Sequence, residues 1–250
     1  MDRMIYTALT AMNSAMDRQK SVANNLANAS TPGFRKEVFA ATAATLQTQE
    51  SGGPIEARAV ARGNVRGADM AGGKVNPTGQ PLDVAVEGKA LIAFQGPDGG
   101  EIYSRRGDLR VGPGGMLENG EGLPVMGDGG PITVPAGFRI AIAPDGGVLA
   151  QDPAAPGEPA QQLDQIRLVS PEGSALAKGI DSFLKVPGGG VLPPDPTARV
   201  IPGALEGSNV ETAATLVEMI DAQRAFEQRA RIIKTAGELD EASARLMGMS

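Results

Sequence analysis

The 250-residue sequence carries 34 Gly, 19 Pro, no Cys and no His, and has a net charge of −6. The two zeros exclude disulfides, thiol nucleophiles, cysteine zinc sites and imidazole proton relays, while an enzyme could still use carboxylates or lysine. The acidic balance argues against broad phosphate binding, and six Phe, two Tyr and no Trp are too few to build stacking platforms for nucleic acid.

Gly and Pro are distributed unevenly. Residues 1–36 contain only Pro32 and Gly33, and residues 206–250 only Gly207, Gly237 and Gly248. Helix interiors tolerate neither residue well, so the chain divides into a helix, a long non-helical middle and a second helix. The apolar stretch over residues 4–16 is interrupted by Thr7, Thr10, Asn13 and Ser14. No cleaved secretory signal and no membrane span are expected from it.

In the first helix Ile5, Leu9, Met12, Met16, Gln19, Ala23 and Leu26 step alternately by four and three residues. That repeat averages about 3.5 residues and predicts an apolar seam facing another helix. Asn24, Asn25 and Asn28 follow, residues that favour caps over helix interiors. They read either as fraying into the turn or as a side-chain amide network that fixes contacts with neighbouring helices. Thr31, Pro32 and Gly33 end the helix, because Pro disfavours helix in the residue before it and Gly suits a turn.

Residues 36–75 are less periodic, are broken by Gly52-Gly53-Pro54, and read as a hairpin or connector. The middle reads as β, with short strands expected at 82–86, 90–94, 101–104, 132–134, 138–142 and 165–169. Pro97-Asp98-Gly99-Gly100 and Pro144-Asp145-Gly146-Gly147 are strong turn signals, the first implying a hairpin. Short strands between Gly-rich turns predict an all-β barrel or sandwich. Residues 187–203, rich in Pro and Gly, read as a return linker.

Ser208-Asn209-Val210-Glu211 places a hydroxyl three residues before a carboxylate, the pattern of a capping box for the last helix. Leu216, Met219, Gln223, Phe226, Ala230 and Ile233 continue the seam. Residues 1–36 carry five bases and two acids, and residues 206–250 five bases and eight acids. Opposite net charges favour the two ends pairing as a coiled coil. The expected organisation is a helical domain of 1–35 with 204–250, a connector of 36–75 and a central β domain of 76–200.

No catalytic, metal-binding or cofactor-binding set emerges. Gly112-Pro113-Gly114-Gly115 lacks the spacing of a dinucleotide loop and reads as a turn. A β-rich secreted hydrolase or binding module remains an alternative, but it would need a convergent polar pocket in 76–200. A coiled-coil adaptor is the other alternative.

Ser21-Val22-Ala23-Asn24-Asn25-Leu26-Ala27-Asn28-Ala29-Ser30-Thr31-Pro32-Gly33-Phe34 resembles the N-terminal signature of bacterial flagellar rod and hook proteins. Gly203-Ala204-Leu205-Glu206-Gly207-Ser208-Asn209-Val210, with Met219 to Glu227, is similar to their C-terminal signature. Within the family, the opening residues and the length look most like a proximal-rod subunit, and a distal-rod subunit is the next nearest. The resemblance implies a structural, non-catalytic subunit without cofactor, in the basal-body rod that transmits torque across the periplasm. It implies passage through the flagellar export apparatus, and partners among itself and the other rod subunits, proximal and distal. Subunit contacts are then expected from the two seams, from Asn24, Asn25, Leu26 and Asn28, from the turn Thr31, Pro32, Gly33 and Phe34, and from Leu205, Glu206, Ser208, Asn209 and Val210.

Overall fold

The computed structural model describes residues 2–46, 58–155, 157–179 and 181–247. The fold is mixed, with one helix at each end and a mostly β middle. Helix α1 spans Asp2–Ala27 and α2 spans Thr212–Met247. The chain forms two compact units: residues 1–27, 37–66 and 211–250 make the helical unit, and 28–36 with 67–210 make the β unit.

In the helical unit α1 and α2 contact one another. Strands β1 (Glu37–Leu46) and β2 (Arg58–Ala68) pair as a two-stranded sheet. Gly52-Gly53-Pro54 lies outside the described residues. The buried helix positions are Ala15, Ser21, Val22 and Asn25 on α1, and Thr215 and Ala222 on α2, among the described residues. Several large residues of the predicted seams point elsewhere. Leu9 is 45% exposed, Met16 37% and Leu216 46%. Met12, Leu26, Met219, Phe226 and Ile233 are half-buried, and Gln223 is exposed. Ile5 lies in α1, with its side chain outside those described. The buried line on α2 therefore runs one residue before the predicted one, because alanine and threonine allow the closest helix approach.

The β unit is built from short antiparallel strands. One sheet runs in the order β12 (Leu168–Val169), β5 (Leu91–Gln95), β6 (Glu101–Ser104), β14 (Leu184–Lys185), β13 (Ala177–Lys178). A second places β10 (Gly147–Gln151) between β9 (Arg139–Ile142) and β11 (Gln161–Gln165). Further pairs join β7 (Leu109–Val111) to β8 (Leu117–Asn119), β15 (Val200–Pro202) to β4 (Val84–Val86), and β16 (Ala204–Glu206) to β3 (Val75–Pro77). The predicted hairpin about residues 97–100 is present, with Gln95 opposite Glu101. The turn at 144–147 joins β9 to β10.

These sheets do not close into a barrel. Closure needs every strand paired along both edges around a continuous ring, whereas these strands are mostly two to five residues long and are distributed among separate sheets. The structure explains why residues 91–94 of β5 are all apolar. Ile92 and Phe94 enter the main core with Ile102, Leu117, Val125 and Ile166. Leu91 and Ala93 face a second cluster with Tyr103, Leu184 and Leu192. Both faces of the strand are thus covered, so no polar alternation is needed. Phe94 also meets Phe183 edge to face, with centroids 6.3 Å apart.

Two sequence expectations need correction. Residues 187–203 are more than a linker, since Leu192 is buried and β15 pairs with β4. The Ser208/Glu211 capping box does not form. Ser208 Oγ accepts the Val210 N–H at 3.2 Å, and α2 begins only when the Glu211 carbonyl accepts the Thr215 N–H at 2.9 Å. Asn209, held by other segments as described below, keeps the backbone out of helical geometry until residue 211.

Candidate functional site

Both signature stretches were expected to present residues to neighbouring subunits. Within the isolated chain many of their polar groups make internal hydrogen bonds. In the helical unit Asn25 is buried, and its side-chain amide pairs with the Glu37 backbone as a strand partner would. Its Oδ1 accepts the Glu37 N–H at 2.7 Å and its Nδ2 donates to the Glu37 carbonyl at 2.9 Å. Asn24 Nδ2 donates to the Glu37 carboxylate at 3.4 Å. These bonds form an amide network, but they join the end of α1 to the start of β1 and not to a neighbouring helix.

In the β unit Asn28 and Thr31 shape the turn, the Thr31 hydroxyl donating to Asn28 Oδ1 at 3.1 Å. Pro32, Leu205 and Ser208 are half-buried beside it. Gly33 has a φ of +67°, and its N–H donates to the Glu206 carbonyl at 2.7 Å. A Cβ there would overlap the Arg105 carbonyl and the Arg106 nitrogen, so this close approach requires glycine. Phe34 and Val210 are buried. The Lys178 ammonium sits 3.5 Å from the centre of the Phe34 ring and donates to the Arg35 carbonyl at 2.5 Å.

Glu206 is the centre of this cluster. It is 2% exposed. Its carboxylate accepts from Arg35 Nη2 at 2.7 Å, Arg105 Nε at 2.8 Å and the Gly73 N–H at 2.6 Å. Both arginines are also buried. Arg105 donates further to the carbonyls of Ala90 at 2.6 Å and Gly88 at 2.9 Å. Arg35 Nε and Nη1 have no hydrogen-bond partner among the described residues, so Glu206 alone anchors that guanidinium. Burial holds the Arg105 guanidinium below its ordinary pKa, opposed by the Glu206 charge, while the nearby Arg35 charge lowers it further.

Asn209 is the second centre. Its Oδ1 accepts the Lys36 N–H at 2.5 Å, and its Nδ2 donates to the carbonyls of Asp69 at 2.9 Å and Ala71 at 3.0 Å. Its own N–H donates to the Phe34 carbonyl at 3.3 Å. Sequence reading picked out Glu206 and Asn209 but missed Arg35, Gly73, Arg105 and Lys178. The latter two have no local signal, since Arg105 lies 101 residues from Glu206 and Lys178 lies 143 from Arg35.

Among the described residues, six of the exposed large apolar side chains lie on the helices, and Val38, Val75, Val111, Val191 and Ile201 are exposed in strands and loops. On α2, Leu216 (46%), Val217 (59%) and Ile220 (51%) form one patch at i, i+1 and i+4, and Ile232 (57%) follows farther along. On α1, Leu9 and Met16 are seven residues apart and so share a face. No described helix is long and apolar enough to cross a membrane. Contiguous exposed aliphatic groups mark interaction surfaces.

The β unit holds a cleft of about 390 Å³ lined by Asp128, Asp145, Arg167 and Asp195 over an apolar floor of Ile166, Leu168 and Ala198. Its carboxylates form turns. Asp145 Oδ1 accepts the Gly147 N–H at 2.9 Å. Hydrogen bonds from the Thr197 hydroxyl and N–H hold the Asp195 carboxyl below its usual range, the reverse of what a general acid at neutral pH needs. Among the described residues no group of three or more acidic side chains is placed to bind a metal ion.

Comparison with known proteins agrees with the signatures. Residues 5–35 match the family described as flagella basal body rod protein. Residues 201–246 match the flagellar basal body rod FlgEFG protein C-terminal family. Residues 85–150 match the flagellar hook protein FlgE/F/G D1 domain. Over 256 aligned residues covering 100% of both chains, the sequence is 37% identical to the flagellar basal-body rod protein FlgF of Salmonella typhimurium. It is 38% identical, over the same full coverage, to FlgF of Escherichia coli. It is 29% identical to the rod protein FlgG of Agrobacterium fabrum, across 95% of this chain and 96% of that one. With both helical ends and the β unit matched, the chain belongs to the flagellar basal-body rod protein family, as a FlgF-like structural subunit of the basal body.

Proposed function

We propose that this rod subunit occupies the proximal rod and polymerises through its terminal helices, which pair as a coiled coil and leave apolar faces for neighbouring subunits. The observation that carries the reading is the exposure of Leu9, Met16, Leu216, Val217, Ile220 and Ile232 on α1 and α2. Each large aliphatic side chain moved from water into a contact contributes roughly 1.5–3 kcal/mol. A handful of such groups per subunit drives association once several neighbours meet. Contacts between unlike faces that do not close on themselves generate a helical filament rather than a ring.

On this reading the contact set divides. The six exposed aliphatic residues meet other copies of this subunit and the adjoining rod subunits. Asn25, Gly33, Phe34, Glu206, Asn209 and Val210 shape the subunit from within. The role is mechanical and needs no titrating group or cofactor. The protein reaches the rod, within the periplasm, through the flagellar export apparatus. A proximal position is favoured over a distal one by the 37–38% identity to the FlgF proteins of Salmonella typhimurium and Escherichia coli, against 29% to the FlgG of Agrobacterium fabrum, while the FlgF proteins of Caulobacter vibrioides and Mesorhizobium japonicum stand at 29% as well.

Co-purification tests the reading. The tagged full chain is expected to sediment with purified basal bodies, and removal of residues 1–27 is expected to leave it in the soluble fraction. Retention of the truncated chain in basal bodies would contradict assembly through the helices.

A further inference from the structure

The chain passes between its helical unit and its β unit after Ala27, Lys36, Arg66 and Val210. Three of these passages are flanked, inside the β unit, by segments that meet at one place: residues 33–36, 69–73 and 206–210. Asn209, in the third segment, bonds to the other two. It receives the Lys36 N–H and donates to the Asp69 and Ala71 carbonyls, while its own N–H reaches the Phe34 carbonyl. The Asp69 N–H closes the circuit by donating to the Lys36 carbonyl at 2.8 Å. Three residues earlier, Glu206 spans the same segments through Arg35 and the Gly73 N–H.

We propose that Asn209 is a positioning residue for assembly, which sets the spacing of the three points where the chain leaves the β unit and makes no contact of its own with a neighbouring subunit. The inference rests on the reading of the chain as an assembling rod subunit. The chemistry favours an asparagine. One planar amide supplies an acceptor for one segment and two donors for another, in fixed relative geometry. Aspartate keeps the acceptor for Lys36 but turns a second oxygen towards two carbonyls. Leucine has a similar shape and supplies neither function. Ties of this kind are made between backbone groups far apart in sequence, so their loss frees the exits without removing any apolar core.

The two substitutions therefore have different signatures. In the full-length free chain, Asn209→Leu is expected to speed amide exchange by about tenfold at Lys36 and across residues 69–73, matching the loss of net hydrogen-bond stabilisation. Asn209→Asp is expected to loosen 69–73 alone and to leave Lys36 slow. Both variants should keep wild-type protection over the core strands 91–104, and both should enter basal bodies several-fold less efficiently than wild type, Asn209→Leu more so. Reduced incorporation with unchanged exchange at Lys36 and 69–73 in both variants would make Asn209 a direct contact residue and overturn the proposal. So would wild-type incorporation of Asn209→Leu with its exits loosened. If Asn209→Leu loses protection over 91–104, Asn209→Asp decides: loosening confined to 69–73 with reduced incorporation supports the proposal, and normal incorporation with that loosening overturns it. Failure of the wild-type chain to enter basal bodies would instead remove the assembly reading, while the exchange pattern would still report whether the clamp exists.

Discussion

Glu206→Ala is expected to destabilise the β unit by about 3–5 kcal/mol, the range found when one partner of a buried ion pair is removed. The carboxylate is 2% exposed and faces two guanidiniums, each 4% exposed. Removing it leaves Arg35 without any side-chain hydrogen bond among the described residues. Arg105 keeps only its bonds to the Ala90 and Gly88 carbonyls. The Gly73 N–H, which donates to the same carboxylate, loses its acceptor as well. A buried charge without a counter-charge costs more than the hydrogen bonds alone. The measurement is urea unfolding followed by tyrosine fluorescence. Tyr6 and Tyr103 are the only tyrosines and there is no Trp, so a Tyr6→Phe background confines the signal to Tyr103 in the β core. A change below about 1 kcal/mol, the size of an ordinary hydrogen bond, would contradict the central role given to Glu206.

The second large effect concerns assembly and leaves folding unchanged. Leu216→Asp combined with Ile220→Asp is expected to abolish incorporation into basal bodies and swimming. Both side chains are about half exposed in the isolated chain, so the change should alter the stability of the free subunit by no more than about 0.5 kcal/mol per site. In an assembled contact, two carboxylates would have to be buried without partners, at a cost of several kcal/mol each. The check is a paired measurement, with thermal melting of the purified variant set beside its recovery in basal bodies. A variant that melts normally and assembles normally would show that this patch faces solvent in the rod.

The helices were legible because their signals are long. A stretch almost free of Gly and Pro with repeated apolar spacing identifies a helix regardless of what it packs against. The packing line was harder to read. Thr215, Ala15 and Ala222 are buried, while hydrophobicity draws attention to Leu9, Met16 and Leu216, which are exposed. Periodicity reports that a stripe exists, but the width of a side chain decides which edge of the stripe is buried.

The β unit was legible only where a strand was long or a turn distinctive. Residues 90–104 carry both signals and appear as the expected hairpin. Strands of two or three residues, such as β13 and β16, are too short to show alternation. Residues 132–134 read as a strand but pair only through isolated bonds, the Ile132 carbonyl accepting the Leu117 N–H at 2.9 Å and its N–H donating to the Val125 carbonyl at 3.0 Å. Proline and glycine in 187–203 hid a strand and a buried leucine. The cluster about Glu206 could not have been assembled from sequence, because its members come from five separate segments. The turn residues and Asn209 stood out, while Arg105 and Lys178 sit in stretches where a lone basic residue reads as solvated surface.

The exposed faces of α1 and α2 are tested most directly by a side-chain-resolved density map of the assembled rod containing this subunit. The expected result is that Leu9, Met16, Leu216, Val217, Ile220 and Ile232 are buried against helices of neighbouring subunits. A rod in which these six side chains remain in water, with neighbouring subunits joined through their β units alone, would contradict it.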